Sequence, residues 1–127
     1  MTGNQTALVQ PIEMTRLEPD IIVVHLPYHD TAAAESHELE SVIDDLLGSG
    51  EKKVIVDLAG VKKMDSTCAG AMTQCFLLAR SAGAKLRFAA ASSHVARMLR
   101  ITQLDTFLPI DTTVELARER LAAARAA

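Results

Sequence analysis

The sequence predicts one α/β domain in which helices cover a sheet. Three observations carry that expectation. The chain has 127 residues, the size of one ordinary domain. Its residues are 49% hydrophobic but only 3% aromatic, so the bulk comes from Val, Ile, Leu and Ala. Its apolar pattern changes period several times, alternating strand with helix. With 23% charged residues there is ample apolar material for a core, and disorder is expected only at the ends.

Ala7 to Met14 is weakly strand-like, and Pro11, which has no N–H to give, confines it to a sheet edge or a bulge. Ile21 to Leu26 is β-branched and nearly all apolar, the pattern of a strand buried on both faces, and Pro27 ends it. Thr31 to Leu47 reads as a helix. Ala32, Ser36, Leu39, Ile43 and Leu46 recur at spacings of three and four, while Glu38, Glu40, Ser41 and Asp44 fall elsewhere. Gly48 and Gly50 stop it.

Lys53 to Leu58 is the clearest strand. After a connection over Ala59 to Met64, Asp65-Ser66-Thr67 looks like a helix N-cap. The helix runs to about Ala82 and is closed by Gly83. Lys85 to Ala90 is another strand. Ser92 or Ser93 can cap a helix whose inner face is Val95, Met98, Leu99 and Thr102. Phe107 to Ile110 is a short strand, and Asp111 or Thr112 caps a last helix through Val114, Ala117 and Leu121. No repeat or long linker interrupts the chain, so residues 1–127 are expected to form a single domain with its core over about 7–122.

Charge and motifs exclude several function classes. The net charge is −3, from 13 basic and 16 acidic residues, with no Trp and one Tyr. Lys62 and Lys63 form the largest basic cluster before the C-terminal tail. A surface that tracks phosphates and stacks bases is not expected, so no nucleic-acid partner is assigned. The longest apolar runs fall short of a membrane span, no signal peptide is visible, and two cysteines without a signal suit a reducing compartment. A cytoplasmic protein without membrane insertion is the expectation.

His29, Asp30 and His37 could be imagined around a metal, but no ligand spacing supports it, and His25 alternates into a strand. Cys68 and Cys75 lie two helical turns apart, about 10.5 Å along the axis, beyond disulfide reach. They read as small core residues. There is no Gly-rich phosphate loop and no Gly-x-Ser-x-Gly elbow, and Ser66 lacks an identifiable base. Neither catalysis nor a cofactor is expected.

The helix opened by Asp65 carries more information. Cys68, Ala71, Met72, Cys75, Ala79 and Ala82 cluster on one side, which must face the sheet. Ser66, Gly70, Thr73, Leu77 and Arg80 form an opposite stripe within roughly 60°. Gly70 costs about 1 kcal/mol there relative to Ala, and Leu77 aims a large apolar group at solvent. A serine at such a place is ordinarily just a cap, and a lone surface leucine is ordinary too. Together they describe a surface on which another protein could settle. A phosphoryl group on Ser66 would meet the N–H groups of the helix start and add about −1.5 to −2 charges beside Asp65.

Val54-Ile55-Val56-Asp57-Leu58, then Val61, then Met64-Asp65-Ser66-Thr67, resembles the STAS domain of bacterial anti-sigma factor antagonists. Gly83-Ala84-Lys85-Leu86 and the stretch from Val95 through Leu104-Asp105 to Phe107 agree with it, over roughly residues 51 to 121. The resemblance implies a STAS-like (SpoIIAA-like) fold with a mixed, mostly parallel sheet of four to five strands and about four helices. It also implies partner switching. The unphosphorylated antagonist binds an anti-sigma factor that is also a serine kinase. That kinase uses ATP to phosphorylate the serine, and a phosphatase resets it.

Carried over, Ser66 aligns with the phosphate acceptor, Asp65 with the acidic residue before it and Thr67 with the second hydroxyl, a second-choice acceptor. Asp65, Ser66, Thr67, Gly70, Thr73 and Leu77 are the expected partner-binding residues. Two departures stand out. Cys68-Ala69 replaces the family's Gly-Leu, placing a Cys side chain near the expected docking surface. His25-Leu26-Pro27-Tyr28-His29-Asp30 replaces the usual entry to the first helix. They motivate an alternative, a non-switching scaffold such as a stressosome-like subunit or the STAS component of a lipid transporter. A small-ligand sensor finds no phosphate loop or evident pocket in the sequence.

Overall fold

The computed structural model describes residues 12–27 and 33–123, apart from the side chains of residues 33–35. In chain order these form β1 (Glu13–Leu17), β2 (Ile21–His25), α1 (Ala33–Gly48), β3 (Lys53–Asp57), α2 (Ser66–Ser81) and β4 (Lys85–Ala89). Then come α3 (Ser93–Ile101), a 3-10 turn over Leu104–Thr106, β5 (Ile110–Asp111) and α4 (Val114–Ala123). The sheet order is β1-β2-β3-β4-β5, antiparallel between β1 and β2 and parallel at the other three pairings. The expected mixed, mostly parallel sheet with four helices is what the chain forms.

Side chains alternate across the strands, and both sides are covered. Ile22, Val24, Val54, Val56, Leu86 and Phe88 pack into the larger core with Leu39 and Ile43 of α1, Met72 and Cys75 of α2, and Val95 and Leu99 of α3. Ile21, Val23, Ile55 and Ala89 face the other way, onto Ala117 and Leu121 of α4. Each large apolar side chain so buried contributes about 1.5–3 kcal/mol relative to exposure. Double-sided burial therefore explains why β2 and β3 read as unbroken apolar runs.

Differences from expectation lie where burial is one-sided or absent. The first strand is centred later than Ala7 to Met14: residues 7–11 lie outside the described ones, and β1 covers Glu13–Leu17. It is an edge strand with four of its five residues exposed, so no apolar pattern marks it. The strand expected over Phe107 to Ile110 shrinks to Ile110–Asp111, with Phe107 exposed after the 3-10 turn. The cap of α4 is neither Asp111 nor Thr112. Thr113 Oγ1 accepts the Leu116 N–H at 3.0 Å, whereas Asp111 is buried between Arg87 and Arg120. Ser92 caps α3, accepting from Val95 N–H at 3.2 Å. Thr31 and Ala32, expected in the first helix, lie outside the described residues.

Candidate functional site

The connection from β3 to α2 is pinned before it reaches Asp65. Asp57, the last residue of β3, accepts the Ala59 N–H on Oδ1 at 3.0 Å and meets His25 Nδ1 through Oδ2 at 2.8 Å. His25 Nε2 in turn lies 2.9 Å from Thr15 Oγ1, so three neighbouring strands are tied at one end of the sheet. Gly60 passes under the preceding connection so closely that a Cβ there would come within 2.7 Å of the Leu26 carbonyl oxygen. Leu58, Val61 and Met64 are buried anchors, and Lys62 and Lys63 between them are exposed. Apolar pegs thus hold the loop and leave its charges in water.

Asp65 emerges from this loop with extended backbone (φ −96°, ψ 178°), and its Oδ1 accepts the Cys68 N–H at 2.9 Å. Asp65 is therefore the N-cap and Ser66 the first helical residue. This division of labour matters. Ser66 is exposed, and among the described residues its hydroxyl is bonded to nothing. Thr67 is exposed beside it. The Ser66 and Thr67 N–H groups precede the reach of intrahelical bonds and join the positive end of the α2 dipole.

Further along α2 the outer stripe is as the wheel places it. Gly70 is exposed, Thr73 half-buried with its hydroxyl donating to the Ala69 carbonyl at 3.1 Å, Leu77 39% exposed and Arg80 exposed. A Cβ on Gly70 would meet nothing within 4 Å, so no packing inside the chain requires glycine there. The inner side is Cys68, Ala69, Ala71, Met72, Cys75 and Ala79, all buried, with Ala82 half-buried.

Cys68 faces inward, as its spacing with the rest of the inner side predicts: it is 2% exposed, and Ala69 beside it is 5% exposed, so the pair that departs from the family pattern does not lie on the outer stripe. The Cys68-Ala69 pair alters core packing and leaves the outer stripe untouched. Neither cysteine is in a disulfide, and burial pushes the pKa of the Cys75 thiol up to about 12.

Of the imagined metal ligands, His29 and Asp30 lie outside the described residues, and His37 is exposed on α1. Among the described residues no three His, Cys, Asp or Glu side chains converge as metal ligands would, and no helix is long and apolar enough to cross a membrane. No local pattern marks the contact between His25 and Asp57. Their 32-residue separation hides a pairing that only parallel strand register creates.

Comparison with known proteins supplies the wider setting. The STAS domain family model matches residues 13–117. A Thermotoga neapolitana protein named as an anti-sigma factor antagonist homologue is 26% identical over 101 residues, 79% of this chain and 89% of that one. Among solved structures, the anti-sigma factor antagonist SpoIIAA in its unphosphorylated form superposes with a TM-score of 0.74 at 15% identity, covering 89% of this chain and 97% of that one. The STAS domain of a Vibrio cholerae SulP transporter gives 0.62 at 20% identity, covering 87% and 85%. These two structures share the fold.

Proposed function

Since this chain belongs to the STAS domain family, we propose that it is an anti-sigma factor antagonist that works by partner switching, with Ser66 as the phosphorylated residue. Unmodified, it binds an anti-sigma factor that is also a serine kinase, through Asp65, Ser66, Thr67, Gly70, Thr73 and Leu77. Phosphorylation from ATP releases it, and a phosphatase restores binding.

The observation that carries this reading is the exposed Ser66 hydroxyl, left unbonded because Asp65 has taken the cap. A phosphoryl group there would draw on the unused N–H groups of the helix start, and its charge beside Asp65 would change any interface centred on that turn. Gly70 supports the same surface: it lets a partner approach the α2 backbone and has no other packing role. The scaffold alternative loses one of its motives, because Cys68 and Ala69 point inward.

The test is incubation with ATP and the kinase recovered on the immobilised chain, followed by peptide mass spectrometry. Phosphate is expected on Ser66, with Thr67 as second choice. No incorporation at either residue would overturn the switch. Ser66→Ala is expected to hold the partner and Ser66→Glu to bind it at least tenfold more weakly. Equal affinities would contradict the charge mechanism.

A further inference from the structure

The sheet ends unevenly on the side of β5. Pairing between β4 and β5 begins only at Phe88↔Ile110 and Ala89↔Asp111, so Lys85, Leu86 and Arg87 have no neighbour on that side. The Phe88 and Ala90 N–H groups reach Pro109 and Asp111 carbonyls, while Lys85 N–H turns the opposite way to Lys52. By that alternation the Leu86 N–H points into the gap. The gap is a groove of about 290 Å³ between the C-terminal part of α2 and α4, at the small end of ligand pockets, which run from about 300 to 1,000 Å³.

Its walls are chemically one-sided. Arg80, Lys85, Arg87 and Arg120 line it, and no acidic residue does. Asp111, 2% exposed, lies against it and holds two of the cations. Arg87 donates to it through Nε at 2.5 Å and Nη2 at 3.2 Å, and Arg120 Nε lies 3.2 Å away. Arg80 and Lys85 form no ion pair among the described residues. Four cations against one carboxylate leave a local charge of +3 on a chain whose net charge is −3. The Leu78, Ala79 and Arg80 carbonyls near the end of α2, which would repel an anion, are already occupied by the Ala82, Gly83 and Ala84 N–H groups. Phe76, Pro109 and Leu121 add an apolar wall.

We propose that this groove is a second site, one that binds a small phosphoryl-bearing molecule with an apolar portion. Guanidinium groups match phosphate oxygens in paired geometry, a doubly charged phosphate suits a +3 surface better than a single carboxylate, and the apolar wall receives the remainder. The site lies about 21 Å along the α2 axis from Ser66 at the usual rise, so it operates apart from the phosphorylation switch.

Phenyl phosphate, inorganic phosphate and benzoate, titrated at matched ionic strength, test it through amide NMR shifts and calorimetry. Phenyl phosphate is expected to shift the Lys85, Leu86 and Arg87 amides and to bind more tightly than either other probe. Arg80→Gln with Lys85→Gln is expected to weaken it at least tenfold without other spectral change. These two cations are chosen because neither holds Asp111. Ser66→Ala is expected to bind phenyl phosphate as the unaltered chain does. Shifts no larger than those from sodium chloride would overturn the site. So would shifts centred on Ser66 and Thr67, or tighter binding of a triglutamate peptide at the same amides, which would make the groove a contact for acidic protein segments.

Discussion

The Asp65 carboxylate accepts the Cys68 N–H at 2.9 Å, and that one bond separates two roles that adjacent polar residues could have shared. Asp65 stabilises the helix, and Ser66 is left to water.

The two positions should therefore respond differently to substitution. Asp65→Ala is expected to cost about 1 kcal/mol, because the first turn of α2 loses its acceptor. Ser66→Ala should change stability by less than about 0.5 kcal/mol. Urea denaturation followed by circular dichroism compares them. Equal losses would mean that Ser66 shares the cap.

Gly70 should show stability and binding pulling apart. With open space around its Cβ position, Gly70→Ala is expected to stabilise the chain by about 0.5–1 kcal/mol through helix propensity. The same methyl group should weaken partner binding if the partner packs against the α2 backbone. Denaturation and calorimetry on one variant read both quantities, and a destabilised Gly70→Ala would show that glycine serves the fold.

Cys75 gives a pH signature. Burial raises its thiol from 9.0 to about 12 in the folded chain, with smaller contributions from Glu40 and Cys68. The unfolded chain therefore gives up this proton first. Its contribution to stability is complete below about pH 9 and is lost as pH rises toward 12. A thiol reagent at pH 8 should find neither cysteine until denaturant is added, since Cys68 is 2% exposed and Cys75 fully buried. Rapid labelling of the native protein would contradict this.

Asp111 should be the costliest polar residue to remove. Its side chain is 2% exposed and bridges Arg87 and Arg120, tying β4, β5 and α4 together. Asp111→Ala is expected to cost about 3 kcal/mol, the lower part of the usual range because Arg87 remains 23% exposed. A thermal melt checks it. A loss below about 1 kcal/mol would show that the arginines find water easily.

The legible part of the sequence was whatever repeats along it. Ile21 to Val24 and Val54 to Val56 are apolar because both faces of their strands are covered. The spacing of Cys68, Met72, Cys75 and Ala79 records the side of α2 that packs inward. The exposed hydroxyl at the start of α2 is local too, since a cap and the residue after it are set within four positions. Thus Ser66 is distinguishable from the sequence alone. The later part of β1, residues 15–17, goes unmarked because an exposed edge strand carries no apolar rhythm, and the sequence does not single out Thr113 as a cap because Asp111 and Thr112 offer the same chemistry nearby.

By itself, then, the chain determined its periodicities: which runs become strands, which stripe of each helix turns inward, and where the hydroxyl-bearing turn falls. Tertiary structure alone decided which distant residues meet. His25 reaches Asp57 only through parallel register, and the cations of α2, β4 and α4 converge only because β5 stops after two residues. The physical reason is that burial leaves a repeating trace along the chain, whereas contacts across loops depend on register and strand length, which no local pattern encodes.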